Sequence, residues 1–236
     1  MTKGVLAGGV LLAIDTTLLP GTVALSKEGQ VVSEREVEKG VQFSGAFLPA
    51  LSSIVEEVGI ALDEITGIVV SRGPGSFTGI RVGISFACGA ARALGVPLFP
   101  LSTLDAMAHG APEGYSTIFP ALDARKGEVY TALYRRRGAS VIREGDYISI
   151  KPENLIYKIV SNDSYVCGPG YIRYRDKFKE GGLGPFPEEK DSIECVNARS
   201  LLIYFLSSRD REGKEPDEVH PLYVRPSEAE LKRKRR

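Results

Sequence analysis

The sequence predicts an α/β fold in which a mixed sheet is built twice. Three observations carry that prediction. Short β-branched runs such as Gly67-Ile68-Val69-Val70 alternate with longer stretches of helical periodicity. A Gly-Pro-Gly turn, Gly73 to Gly75, separates that strand from a helix, and a second such turn, Gly168 to Gly170, follows another apolar run. An apolar strand that ends on Asp, then a loop reaching Gly and a second strand, occurs at Leu12–Leu25 and again at Ala121–Thr131.

In chain order, Val10–Ile14 is a first strand and Asp15–Gly21 a turn. Thr22–Ser26 and Gln30–Val37 are two further strands, joined at Glu28-Gly29 as a meander. Ser44–Val58 is a helix, because Phe47, Leu48, Leu51, Ile54, Val55 and Val58 fall at three-and-four spacing. Pro49 lies deep in that stretch and predicts a bend or a late start. Ile65–Ser71 is the next strand. The glycine loop Ser71–Gly79 follows, with Ser76 or Thr78 placed to cap a helix over Ile80–Leu94. Val96–Phe99 is a short strand, and Ser102 caps a helix through His109. The order β-β-β-α-β-α-β is that of a ribonuclease-H-like domain.

A second module starts near Ser116. Its third strand is Ser140–Ile148, Pro152–Val160 and Asn197–Leu206 read as helices, and Tyr165–Cys167 as a strand. Gly181–Pro187 is loop, and Pro221–Pro226 a short extended piece. The expected division is 1–112, 113–226 and a basic tail, 227–236, that is solvated and disordered.

Composition narrows the function classes. Thirty basic residues balance thirty acidic ones, so no global field draws nucleic acid or an anionic membrane. Without the five residues Lys232–Arg236 the balance is 25 against 30, so the tail offsets an acidic body. Three cysteines, Cys88, Cys167 and Cys195, show no C-x-x-C spacing, which suits a reducing cytoplasm and no zinc cluster. Lys3 and the apolar run after it imitate a signal peptide, but no cleavage pattern follows, and a first strand is the better reading.

The loop Ser71–Gly79 sits where a strand meets a helix N-terminus, a place suited to an anion. Asp15, Thr16, Arg72, Gly73, Gly75, Ser76 and Thr78 are therefore candidate nucleotide or anion contacts. A dinucleotide fingerprint would need a third glycine where Thr78 stands, and a P-loop would need a lysine where Ile80 stands. A tight structural turn explains the loop equally well. Asp15 and Asp123 stand at strand-end turns, where an actin-like ATPase would place carboxylates around a nucleotide and its metal and where ordinary turns also carry them, yet Ala124 follows Asp123 where Thr16 follows Asp15, so the second half-site lacks its hydroxyl. His109 and His220 have no metal-ligand spacing, and no G-x-S-x-G elbow is present. The helix Ile80–Leu94 carries only Arg81 and Arg92 as charges, and both fall near one face. It must be covered nearly all round, either by its own domain or by a second chain.

Several motifs together resemble the bacterial TsaB family: Leu12–Thr17, Val69–Gly83, Leu122–Tyr130 and Pro221–Pro226. The resemblance implies an actin-like ATPase fold with a degenerate catalytic site and no catalytic residue or metal of its own. It implies a non-catalytic subunit that dimerises with a TsaD-like transferase, joined by a TsaE-like ATPase, for threonylcarbamoyl modification of adenosine 37 in tRNAs reading A-starting codons. It also implies homodimers when the chain is alone, ATP or ADP at the partner interface, a cytoplasmic setting, no membrane, and tRNA met only indirectly or through the tail. Carried onto this sequence, the partner face falls on two helices at Phe47, Leu48, Leu51, Ile54, Val55, Arg81, Ile84, Ala87, Cys88 and Ala91. One departure is Phe43-Ser44-Gly45, where the family has His-Ser-Glu. A stand-alone actin-like ATPase or sugar kinase is the alternative reading, and a glycoprotease-type metalloprotease a more distant one.

Overall fold

The computed structural model describes residues 8–37, 43–159, 163–180, 197–207 and 212–225. Lys3, the loop Gly181–Pro187, Cys195, Pro226 and the tail Lys232–Arg236 lie outside the described residues, as do the side chains of Phe43, Ser44 and Gly45. The chain divides into two compact units. One comprises 1–106 with 196–221, and the other 107–195 with 222–236.

The first unit carries a five-stranded sheet of order β3-β2-β1-β4-β5. Its strands are β1 (Val10–Asp15), β2 (Thr22–Lys27), β3 (Gln30–Glu36), β4 (Ile65–Ser71) and β5 (Leu98–Leu101). β1, β2 and β3 form the antiparallel meander, while β1, β4 and β5 run parallel. β5 begins two residues later than its hydrophobic run suggests, because Pro97 precedes it without an N–H to give the ladder. All six residues of β1 are buried, so both faces of the sheet need a cover.

Two helices, α1 (Phe43–Val58) and α2 (Phe77–Leu94), supply one cover. Phe47, Leu51, Ile54, Ile80, Ile84 and Ala87 pack there with Leu12, Ile14, Val23 and Ile68. α1 runs through Pro49, which is exposed, so the expected late start does not occur. The other face is covered by α7 (Ala198–Ser207), whose Leu201, Leu202 and Phe205 join Leu11, Ala13, Val69 and Phe99. Phe99 and Phe205 have ring centroids 4.6 Å apart. This corrects the contiguous 113–226 module: the helix was expected at the right residues but packs on the first sheet. The following segment adds an antiparallel bridge at Leu98–Lys214, so it too belongs to the first unit.

The second unit repeats the plan. Its strands are β6 (Thr117–Pro120), β7 (Leu122–Arg125), β8 (Glu128–Arg137), β9 (Ser140–Ile150) and β10 (Ser164–Cys167). β6 and β7 pair in succession along one edge of β8, and β9 pairs along the other. β10 lies parallel to β6, as β4 lies parallel to β1. Three short helices accompany it: α4 (Pro152–Ile156), α5 (Pro169–Arg173) and α6 (Arg175–Glu180), with α3 (Thr103–His109) earlier in the chain. The helix expected over Pro152–Val160 thus closes after five residues. Phe119, Val129, Leu155, Tyr171 and Phe178 form the second core.

Both Gly-Pro-Gly turns do the same work. Ser76 donates its N–H to the Thr17 carbonyl at 2.8 Å, and Gly170 donates to the Ala121 carbonyl at 2.8 Å. A Cβ on Gly75 would stand 2.6 Å from Thr17 Cβ, and one on Gly170 would stand 2.7 Å from the Leu122 carbonyl carbon. In each unit the turn therefore presses backbone to backbone on the end of the first strand. The repeat visible in the sequence is a repeat of architecture.

Candidate functional site

The first candidate region is the Asp15 turn and the glycine loop. Asp15 ends β1 and is buried. Its Oδ1 accepts from Thr17 N at 2.7 Å, from the Thr17 hydroxyl at 2.6 Å and from the Ser71 hydroxyl at 2.9 Å. Burial pushes its carboxyl above the usual range, against the lowering effect of those Thr17 and Ser71 bonds. Thr16 donates its hydroxyl to the Gly79 carbonyl at 2.7 Å. Ser76, not Thr78, caps α2, accepting from Gly79 N at 3.2 Å. Ser102 makes no such cap: its hydroxyl has no partner among the described residues.

This geometry packs much of the expected anion loop against the Asp15 turn. Thr16 and Thr17 lie against Gly75, Gly79 and Gly83, where even a methyl group would collide with them. Ser76 meets the N–H of Gly79 with its hydroxyl and that of Ile80 with its carbonyl, and the N–H of Ser76 is met by Thr17. Gly73 O is taken by Thr103 N at 2.9 Å, and Arg72 N by Leu101 O at 2.9 Å. Asp15, Thr16, Gly73, Gly75 and Ser76 thus form a packed joint, with Arg72 half-buried beside it and Thr78 exposed.

The second region is the outer face of α1 and α2. Phe47, Leu51, Ile54, Val55, Ile84, Ala87 and Ala91 are all buried in the core of the first unit and present little outward. Seven of the ten expected partner contacts are therefore corrected. The 3.6 period marked the sheet-facing stripe, which is the larger apolar one. The first half of α2 shows Phe77, Thr78, Arg81 and Ser85 to solvent, with Val82 and Phe86 half-buried, and α1 adds Leu48 at 61% exposure. The Arg81 guanidinium sits 3.9 Å over the Phe77 ring. Phe86 stacks on Phe47, with centroids 4.7 Å apart. Arg81, Val82, Ser85 and Phe86 line an open groove of about 350 Å³.

The C-terminal half of α2 meets the chain itself along one side, while Gly89, Arg92 and Ala93 stay exposed. Cys88 donates its thiol to the Pro216 carbonyl at 3.5 Å, and Arg92 pairs with Asp217. Burial, the largest cause, pushes the Cys88 thiol up, so it is held as a neutral thiol. The segment around Pro216 gave no periodic signal, and its contact with α2 was not legible.

The third region lies in the second unit, at the β7–β8 hairpin. Arg125 (φ 60°), Lys126 (φ 55°) and Gly127 (φ 78°) are three consecutive left-handed residues. Asp123 accepts from Arg125 N at 2.9 Å and from the Tyr174 hydroxyl at 3.2 Å, and pairs with Arg173 at 3.4 Å. Asp123 is therefore engaged by its own unit.

With these regions in view, the relatives can be compared. The chain is 35% identical over 222 residues to the tRNA threonylcarbamoyladenosine biosynthesis protein TsaB of Escherichia coli, covering 91% of this chain and 94% of that one. It is 35% identical to TsaB of Bacillus subtilis, over 94% of this chain and 96% of that one. The chain belongs to the TsaB family. Residues 39–170 match the family model of TsaD, the tRNA N6-adenosine threonylcarbamoyltransferase. A crystal structure of a Pseudomonas aeruginosa protein described as similar to the peptidase YeaZ superposes with a TM-score of 0.75 at 28% identity, over 92% of this chain and all of that one. YeaZ from the same organism superposes with a TM-score of 0.73 at 27% identity, over 91% and 99% of the two chains. These TsaB-family likenesses span both units. No helix among the described residues is long and apolar enough to cross a membrane.

Proposed function

We propose that this TsaB-family chain is a non-catalytic scaffold that pairs with a TsaD-like transferase in threonylcarbamoyl modification of tRNA adenosine 37. The observation that carries the reading is the outward face of α1 and α2: an open groove lined by Arg81, Val82, Ser85 and Phe86, with Leu48 and Phe77 exposed on the same two helices. Leu48, Phe77, Val82 and Phe86 give a partner apolar surface to bury there. The packed joint at Asp15 supports the non-catalytic part, because the carboxylate and loop that would serve phosphate chemistry are engaged with one another. Any ATP or ADP of the complex is then held at the partner interface and not in this glycine loop. A TsaE-like ATPase joins through the complex, and the same helical face forms homodimers when the chain is alone.

The test is size-exclusion chromatography with the cognate TsaD-like subunit. Wild-type chain is expected to co-elute as a heteromer. Ser85→Trp, at an exposed position in the groove, is expected to leave the fold intact by circular dichroism and to weaken the heteromer at least about tenfold, a loss of about 1.4 kcal/mol. Separate peaks for the wild-type pair, even with ATP and the TsaE-like protein present, would sink the scaffold reading.

A further inference from the structure

The Pro221–Pro226 motif is not used by the partner face, and the structure gives it a task. Arg225 spans the β7–β8 hairpin with its guanidinium, donating to Glu128 Oε2 on one strand and to the Ala124 carbonyl on the other, each at 3.1 Å. Glu128 also accepts from the Ser149 hydroxyl at 2.6 Å. Asp123 also holds this hairpin, through Arg125 N, the Tyr174 hydroxyl and Arg173. A two-residue turn with φ > 0 favours Asn-Gly, and arginine and lysine take that conformation reluctantly. Here Arg125 and Lys126 are both held in it, and both are exposed.

Held this way, the hairpin tip is a basic surface. Arg125, Lys126, Lys151, Arg173, Lys177 and Arg225 gather around three carboxylates, Asp123, Glu128 and Glu153, the last paired with Lys177. Among the described residues, no carboxylate pairs with the Arg125 side chain. Tyr174 stands among the cations, 5.9 Å from the Arg173 guanidinium and 5.8 Å from the Lys177 ammonium. Cations interleaved with an aromatic ring suit a phosphate backbone with bases beside it. The basic character is local to the hairpin: without Lys232–Arg236 the residues of the second unit comprise 14 basic and 15 acidic, and those of the first 11 basic and 15 acidic.

We infer that the β7–β8 hairpin tip of the second unit contacts the phosphate backbone of tRNA through Arg125 and Lys126, with Arg225 as the positioning residue that holds the tip. The inference rests on the tRNA-modification reading above. It moves the RNA contact from the basic tail to a folded hairpin.

The experiment measures binding of bulk tRNA to the full chain with its TsaD-like partner, by fluorescence anisotropy across a salt series. The double variant Arg125→Asn, Lys126→Asn removes two charges while asparagine accepts the left-handed backbone, so the hairpin is kept. It is expected to weaken binding about tenfold or more and to lower the slope of log K against log salt by roughly two, at about 0.9 per phosphate contact. Arg225→Lys keeps the charge but loses the fork, and is expected to weaken binding with the slope unchanged. Arg92→Ala, in the first unit, is expected to change neither.

A double variant that binds tRNA with wild-type affinity and slope, or loss only when Lys232–Arg236 are removed, overturns the inference. In that event co-elution with the partner still stands as a separate result for the scaffold reading. If the wild-type chain fails to co-elute, the same salt series on the chain alone decides the hairpin.

Discussion

Asp15 shows how much of a residue's role is set by its walls. A carboxylate at a strand end in this fold class suggests phosphate or metal chemistry, and here it accepts three hydrogen bonds on one oxygen and is buried. Its folded pKa is raised by burial, so its contribution to stability is fullest below the unfolded value of about 3.9 and is lost as pH rises through the folded value. Asp15→Asn keeps the accepting oxygen and removes the buried charge. The variant is expected to be more stable than wild type at about pH 8, with the gap closing toward about pH 4. Urea midpoints at the two pH values check this; an equal loss of stability at both would count against it.

At the scale of the element, α2 is decided by its glycines as much as by its apolar residues. Gly79 and Gly83 lie under Thr16 with no room for a methyl group, whereas nothing stands within 4 Å of a Cβ at Gly89. Gly79→Ala is expected to destabilise the chain by about 3 kcal/mol, because backbone must move to admit it. Gly89→Ala is expected to stabilise by about 1 kcal/mol, the ordinary helix propensity difference. Denaturant unfolding of the two variants separates close packing from propensity. The helix's existence, its start at the glycine loop and its end at Leu94 were legible in sequence, though it begins at Phe77, three residues before the expected Ile80. The outward face of α1 and α2 was not, because Phe47 and Ile54 on α1, and Ile84 and Ala87 on α2, are apolar whether a sheet or a partner covers them.

At the scale of the molecule, the chain builds one plan twice and then returns to finish the first copy. β1 is buried along its whole length, and α1 and α2 cover only one side of its sheet. α7 covers the other, with Phe205 fully buried against Phe99. Phe205→Ala is expected to cost about 3 to 5 kcal/mol, the cost of emptying a large core site. Far-ultraviolet circular dichroism in urea measures it. A loss below about 1 kcal/mol would show that α7 is dispensable to the first unit.

The sequence by itself determined the local events. Glycine, proline and β-branched residues act within a few positions of themselves, so the meander, both Gly-Pro-Gly turns, the ribonuclease-H-like order and the family motifs could be read directly. The tertiary structure decided every question of what lies opposite. It walled in Asp15 with Thr17 and Ser71, returned residues 198–207 to the first sheet, laid Pro216 on Cys88, and set Arg225 across a hairpin about a hundred positions away. The reason is physical: an apolar stripe or a buried polar atom specifies that it must be satisfied, and only the folded chain specifies by what.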